Sequence, residues 1–78
     1  MSVRVRYFAA AAEAAGTDAE DRAETTLTAL RAGIVRDHAA LGGILDRCAV
    51  LVDGTRRDDD AALDTVAHVD VLPPFAGG

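Results

Sequence analysis

Cysteine is nearly absent from this 78-residue chain, which contains one, and long apolar runs are absent altogether. A single cysteine excludes an internal disulfide, and no run of 18 apolar residues is present that would span a membrane. The first residues, "MSVRVRYF", alternate at once between apolar and polar and lack the apolar segment of a signal peptide. We therefore expect a cytoplasmic protein in a reducing compartment, with no membrane association.

Aromatic residues are also scarce, at 4%, yet 50% of the residues are hydrophobic, so the composition is not that of a disordered chain. Basic residues number 8 against 13 acidic ones, which gives a net charge of −5. Affinity for nucleic acid depends on neutralising phosphates, and the few arginines are scattered, so we expect no nucleic-acid partner. The negative charge instead favours electrostatic steering towards a basic protein.

Clusters of chemically reactive side chains are missing as well. His38 and His68 are far apart and lack ligand-like neighbours, and the acidic run Asp58–Asp60 lacks calcium-loop spacing, so no metal site is predicted. Cys48 is interpreted as a small buried hydrophobe, with a thiol activated by Arg47 as the alternative. No Ser/His/Asp set is visible. The side chains therefore predict no complete active site.

The apolar pattern predicts a single α+β domain with helices on one face of a small mixed sheet. "VRVRY", "AVLVDG", which ends in an Asp-Gly turn, and "HVDVL" are predicted strands. "AAAAEAAG" and "TTLTALRAGIV" are predicted helices, the second capped by Thr25 or Thr26. The polar segment between the helices is either a loop or a weak edge strand near Asp21–Thr25. Alternation places these residues towards the core: Val3, Val5, Tyr7, Val50, Val52, Val69 and Val71.

The last residues, "LPPFAGG", predict a stiffened exit followed by a narrow tail. Pro73 and Pro74 stop the last strand and direct the chain away from the sheet. Gly77 and Gly78 have no side chains, so they can enter a narrow channel and leave a terminal carboxylate unhindered. We expect a domain over residues 1–73 and an extended tail over residues 74–78.

These stretches resemble a known family. "VRVRYFAAAAEAAG", "VLVDG" and "VDVLPPFAGG" are similar to the small subunit of molybdopterin synthase, in the MoaD family of ubiquitin-like sulfur carriers. The resemblance covers nearly the whole chain and implies a β-grasp fold. The family usually has a clear second strand and a glycine-bearing turn before the main helix, whereas "DAEDRAET" is short and polar here.

The resemblance also implies a reaction at the end of the chain. An activating enzyme would adenylate the Gly78 carboxylate with ATP, and a persulfide donor would convert the acyl adenylate to a thiocarboxylate. The tail, from Pro73 and Pro74 through Phe75, Ala76 and Gly77, would insert into the large catalytic subunit, where the sulfur would attack the cyclic pyranopterin precursor. No cofactor would be bound permanently.

Strand parity, combined with the strand order of a β-grasp sheet, predicts a docking patch beside the tail. Phe8, Leu51 and Leu72 fall on the outward parity, and Phe75 would lie at the edge of the patch. We expect both the activating enzyme and the large subunit to bind there, with Asp58–Asp60 steering the encounter as a secondary effect.

Other functions are compatible with the same residues. The chain could be a thiazole-forming sulfur carrier or a ubiquitin-like tag conjugated to lysines. It could also be an interaction domain in which the two glycines have no role. The paired prolines before the tail favour the molybdopterin type.

Overall fold

A computed structural model describes residues 2–74 and shows a five-stranded sheet covered on one face by two helices. The strands are β1 (Val3–Tyr7), β2 (Ala19–Arg22), β3 (Ala49–Val52), β4 (Thr55–Arg56) and β5 (His68–Leu72). The helices are α1 (Ala10–Ala15) and α2 (Leu27–Asp37), and two short 3-10 segments (Ala39–Gly43 and Leu45–Arg47) lead into β3. This arrangement confirms the predicted β-grasp.

The strand order is β2-β1-β5-β3-β4. Strands β1 and β5 are parallel, and the other three pairs are antiparallel. Strands β1 and β5 run in the same direction in the middle of the sheet, so their C-terminal ends lie side by side. We call this end of the sheet the exit edge. The backbone N–H of Phe8 donates to the carbonyl of Val71 there, at 3.1 Å.

The core lies between the sheet and the helices. All the residues that alternation placed inward are buried, which confirms the parity of β1, β3 and β5. They pack against the apolar side of α2, where Leu27, Leu30 and Ile34 are almost inaccessible to solvent. Between Ser2 and Pro74, no helix is long and apolar enough to cross a bilayer.

The second strand exists but begins earlier than the sequence suggested. It comprises Ala19–Arg22 rather than the segment near Asp21–Thr25, and it pairs antiparallel with β1. The sequence pattern did not clearly indicate this strand because its one buried residue is charged, Arg22, and not apolar. Strand β4 has only two residues and no apolar alternation, so it was missed.

Helix α2 begins with two side-chain caps. Thr26, one of the two predicted caps, accepts a hydrogen bond from the backbone N–H of Ala29. Asp60 accepts from the N–H of Thr28 at 3.0 Å, and this bond lowers the pKa of the Asp60 carboxyl. The loop after β4 is therefore tied to the start of the main helix.

Candidate functional site

The outer face of the sheet, opposite the helices, carries the residues of the predicted docking patch. Phe8 is 41% exposed, and Leu51 and Leu72 are half-buried. Leu72 pairs with Ala49, and Leu51 pairs with Asp70, two residues further from the exit edge. Leu51 and Leu72 are therefore diagonal neighbours on adjacent strands.

A charged row crosses the outer face beside these apolar residues. Arg6 of β1 is in register with Asp70 of β5, then with Leu51 of β3 and Arg56 of β4. The Arg6 guanidinium donates two hydrogen bonds to the Asp70 carboxylate, at 2.5 and 2.8 Å, and this contact raises the pKa of Arg6. Asp70 has the outward parity that was expected, yet it is only 7% exposed, because Arg6 covers it.

The tail begins at the exit edge. Leu72 ends β5 as predicted, Pro73 is buried and Pro74 is exposed. The remaining predicted tail residues, Phe75, Ala76, Gly77 and Gly78, lie outside the described residues. The structure thus brings Phe8, Leu72 and the start of the tail together.

The single thiol lies at the same edge but points inward. Cys48 directly precedes β3, is 6% exposed and donates from Sγ to the carbonyl of Ile44 at 3.3 Å. Burial raises the pKa of its thiol and outweighs the opposing charge of Arg31. The alternative of a thiol activated by Arg47 is therefore wrong, and the interpretation as a small buried hydrophobe is confirmed.

The two histidines serve separate local contacts. His38 contacts Glu20 at 2.7 Å, and His68 lies near Asp53 and Asp70, at 3.6 and 3.9 Å. Within residues 2–74, no group of three or more histidine, cysteine or acidic residues could hold a metal ion.

Sequence reasoning missed a polar cluster between β1, β2 and the end of α2, which we call the Arg22 cluster. The guanidinium of Arg22 contacts Glu20, Glu24 and Asp37 at 3.4, 2.9 and 2.9 Å. Tyr7 also donates to Glu20, and the pKa of this phenol is raised by burial and by that bond. No spacing in the sequence signals the cluster, because its members come from three distant segments.

Two of the three residues in the acidic run Asp58–Asp60 form hydrogen bonds within the domain. Asp59 accepts two hydrogen bonds from Arg57, at 2.8 and 2.6 Å, and Asp60 caps α2 as described above. Asp58 has no such hydrogen bond within the described part of the chain and is exposed.

Solved structures share this fold over their whole length. Small archaeal modifier protein 1 from Haloferax volcanii matches with a TM-score of 0.85 and 24% identity, covering 100% of both chains. The protein of the same name from Methanosarcina acetivorans matches with a TM-score of 0.86 and 20% identity, covering 99% of this chain and 96% of that one. At these identities the likeness shows the fold alone.

A third structure is a complex of subunits 1 and 2 of molybdopterin-converting factor from Helicobacter pylori. One of its chains matches with a TM-score of 0.73 and 28% identity, covering 100% of both chains. No curated protein matches this chain significantly. The ThiS family model matches residues 5–78. The chain therefore belongs to the ThiS family and has the ubiquitin-like β-grasp fold of the ThiS and MoaD sulfur carriers.

Proposed function

We propose that this chain is the sulfur-carrying small subunit of a molybdopterin synthase. An activating enzyme adenylates the carboxylate of Gly78 with ATP and releases pyrophosphate. The terminal sulfur of a persulfide donor then displaces AMP, and a thiol reductant cleaves the S–S bond of the acyl disulfide that this forms. The resulting thiocarboxylate donates its sulfur to the cyclic pyranopterin precursor inside the large subunit. This is nucleophilic group transfer in which the nucleophile is carried on the end of a chain.

One observation carries the proposal more than any other. The Helicobacter pylori subunit, which was solved in complex with a second subunit, matches this chain along the full length of both. The family match also extends through Gly78, so the similarity includes the tail that would carry the sulfur.

The outer face supplies the docking surface in this proposal. Phe8 is exposed beside the point where β5 ends, and Leu72 is half-buried next to it. A partner that covers Phe8 and Leu72 would receive the tail directly, because Pro73 and Pro74 follow without a linker. The exposed Phe8 and the half-buried Leu72, next to the start of the tail, support a binding role for this surface.

The acids and bases of the later steps are assigned to the large subunit. His38 and His68 contact carboxylates, and the Cys48 thiol is buried. Asp70 is held by Arg6. None of these groups is free at the exit edge to move a proton during the reaction.

A second candidate is a protein modifier. The small archaeal modifier structures match more closely in backbone, with TM-scores of 0.85 and 0.86 against 0.73. A modifier would share the adenylation of Gly78 but would then form an amide with a lysine of another protein. A thiazole-forming carrier would share the thiocarboxylate and differ only in the acceptor.

Mass spectrometry separates these routes. We expect a gain of about 16 Da on the intact chain after incubation with an activating enzyme, ATP and a persulfide donor, because sulfur replaces one oxygen. A variant lacking Gly78 should gain nothing. If the chain instead becomes attached to lysines of other proteins and never gains this mass, it is a modifier and the carrier proposal fails.

A further inference from the structure

All eight basic residues of this sequence are arginines, and it contains no lysine. A guanidinium stays protonated at any physiological pH, whereas a lysine amine loses its proton readily enough to act as a nucleophile. The two side chains therefore differ sharply beside an activated acyl group: arginine contributes charge without reactivity, and lysine contributes both.

Several of these arginines lie around the exit edge or on the outer face. Arg47 is exposed and stands two residues before Ala49, which pairs with Leu72. Arg6 and Arg56 lie on the outer face in the charged row. Within residues 2–74, neither Arg47 nor Arg56 forms an ion pair, so both present cationic groups to solvent.

The other strong nucleophile near the exit edge, the Cys48 thiol, is buried. Cys48 adjoins Arg47, yet its thiol is buried and hydrogen-bonded to Ile44. Burial also raises the pKa of this thiol, which lowers the fraction of reactive thiolate.

The start of the described chain, at Ser2, lies far from the exit edge. Arg4 is in register with His68, so Ser2 lies about eight residues of strand away from Pro74, or roughly 26 Å at 3.3 Å per residue. The four residues from Phe75 to Gly78 span at most about 14 Å when fully extended.

We propose that the surface around the exit edge is kept free of accessible amines and thiols, so that an activated Gly78 is not captured by its own chain. Capture would form a C–N bond at the Gly78 carbonyl carbon, break the bond to the leaving group and release a proton. Without a nucleophile in reach, the activated carbonyl persists until an external acceptor arrives. The inference rests on the proposed function in that Gly78 is the activated group.

The test installs an amine beside the exit edge. A C-terminal thioester at Gly78, made by thiolysis of an intein fusion, provides an activated acyl group without an activating enzyme. The thioester is compared in the parent chain, in Arg47→Lys and in Arg36→Lys, at about 10 μM protein and mildly alkaline pH. Arg36 is the matched control because it lies far from the exit edge. It adjoins Asp37, which contacts Arg22, and Arg22 pairs with Val3 at the start of β1.

The parent and Arg36→Lys should only hydrolyse to the acid. Arg47→Lys should yield a product about 18 Da lighter than its acid, because amide formation releases the thiol with no water added. An amine tethered within reach has an effective concentration near 1 mM, so capture within one chain should exceed capture between chains roughly 100-fold at this dilution. Peptide mapping should place the cross-link between position 47 and Gly78.

The inference is overturned if the Arg47→Lys thioester only hydrolyses, if Arg36→Lys cross-links equally well, or if the parent forms the lighter product. Arg56→Lys repeats the test at an exposed position without an ion pair, should Arg47→Lys fail to fold by circular dichroism. Because the thioester is made without the activating enzyme, these results are independent of whether Gly78 gains sulfur in the carrier experiment.

Discussion

Gly33 illustrates how one residue of α2 is determined by contacts from outside the helix. A Cβ at this position would overlap the carboxylate of Glu24 and lie 2.7 Å from the guanidinium of Arg22. Glycine costs about 1 kcal/mol in a helix interior relative to alanine. Glycine is needed here because the Arg22 cluster packs directly against the helix backbone and leaves no room for a side chain.

We expect Gly33→Ala to lower the free energy of unfolding by about 1 kcal/mol, despite its gain in helix propensity, because the ends of the Glu24 and Arg22 side chains must move to make room. The new methyl group would displace a largely buried ion pair, and separating such a pair is costly. Gly43→Ala is the matched control, because nothing lies within 4 Å of its added Cβ. Urea unfolding measures both variants; a Gly33→Ala chain more stable than the parent would contradict this packing.

Asp70 shows what a single sequence hides at the residue scale. Alternation correctly places it on the outer face, where a charged residue is expected to be solvated. Its burial follows from pairing with Arg6, which is 64 positions away in the sequence. Such contacts depend on the neighbour order of the strands, and periodicity within one strand contains no information about that order.

The strands differ in how well the sequence predicts them. Strands β1, β3 and β5 pack one apolar face on the helices, so their alternation is clear. Strand β2 lies at the edge and buries a charged residue, Arg22, instead of an apolar one. A buried arginine is stable there only because carboxylates from β2 and α2 and from the segment between them surround it, which is a tertiary property.

The Arg22 cluster should make the free energy of unfolding depend on pH in the acidic range. Partial burial opposes ionisation of Glu20, but bonds from Tyr7 and His38 and the charge of Arg22 outweigh it and lower its pKa. Hydrogen bonds from Arg22 are the main reason that the pKa values of Glu24 and Asp37 are lowered. Carboxyls with lowered pKa in the folded state stabilise it above their unfolded pKa, about 4, and this contribution is lost as the pH falls through the folded values.

We therefore expect the free energy of unfolding to fall as the pH is lowered from 5 to about 3, and to fall less in Arg22→Met. The variant should be less stable at pH 7, because its carboxylates lose their counter-ion, and protonating them then costs less. Urea titrations across this pH range measure both effects. Equal acid dependence in the parent and in Arg22→Met would show that the cluster does not control it.

At the scale of the whole molecule, charge is distributed unevenly. The chain has a net charge of −5, yet the row across the outer face contains Arg6 and Arg56 with one buried carboxylate, Asp70. Asp59 and Asp60 are engaged elsewhere. This distribution favours short-range docking through Phe8 and Leu72 over long-range steering by the acidic run.

Leu72→Asp and Phe8→Asp should each weaken binding to the activating enzyme and to the large subunit by about 2 kcal/mol, if these residues dominate the interface. Phe8 is the safer variant, since it is exposed and its substitution leaves the core intact. Ala40→Asp, at an exposed position beyond α2, adds the same charge as a control. Calorimetry with unchanged affinity for both partners would remove the docking role.

Gly77 is expected to limit transfer by its size. A side chain in a narrow channel would clash or forbid the backbone conformation needed there. Gly77→Ala should slow sulfur transfer and Gly77→Leu should abolish it, with the melting temperature unchanged. Normal transfer by Gly77→Leu would show that the tail does not enter a narrow channel.

Sulfur transfer in a reconstituted reaction would show most directly whether Gly78 carries sulfur. The chain carrying a thiocarboxylate at Gly78 is mixed with the large subunit and the cyclic pyranopterin precursor, and the dithiolene product is followed together with the mass of the chain. We expect product formation, with the chain losing about 16 Da as the sulfur is replaced by oxygen. No product and an unchanged thiocarboxylate, with a large subunit that is active with its own small subunit, would contradict this expectation.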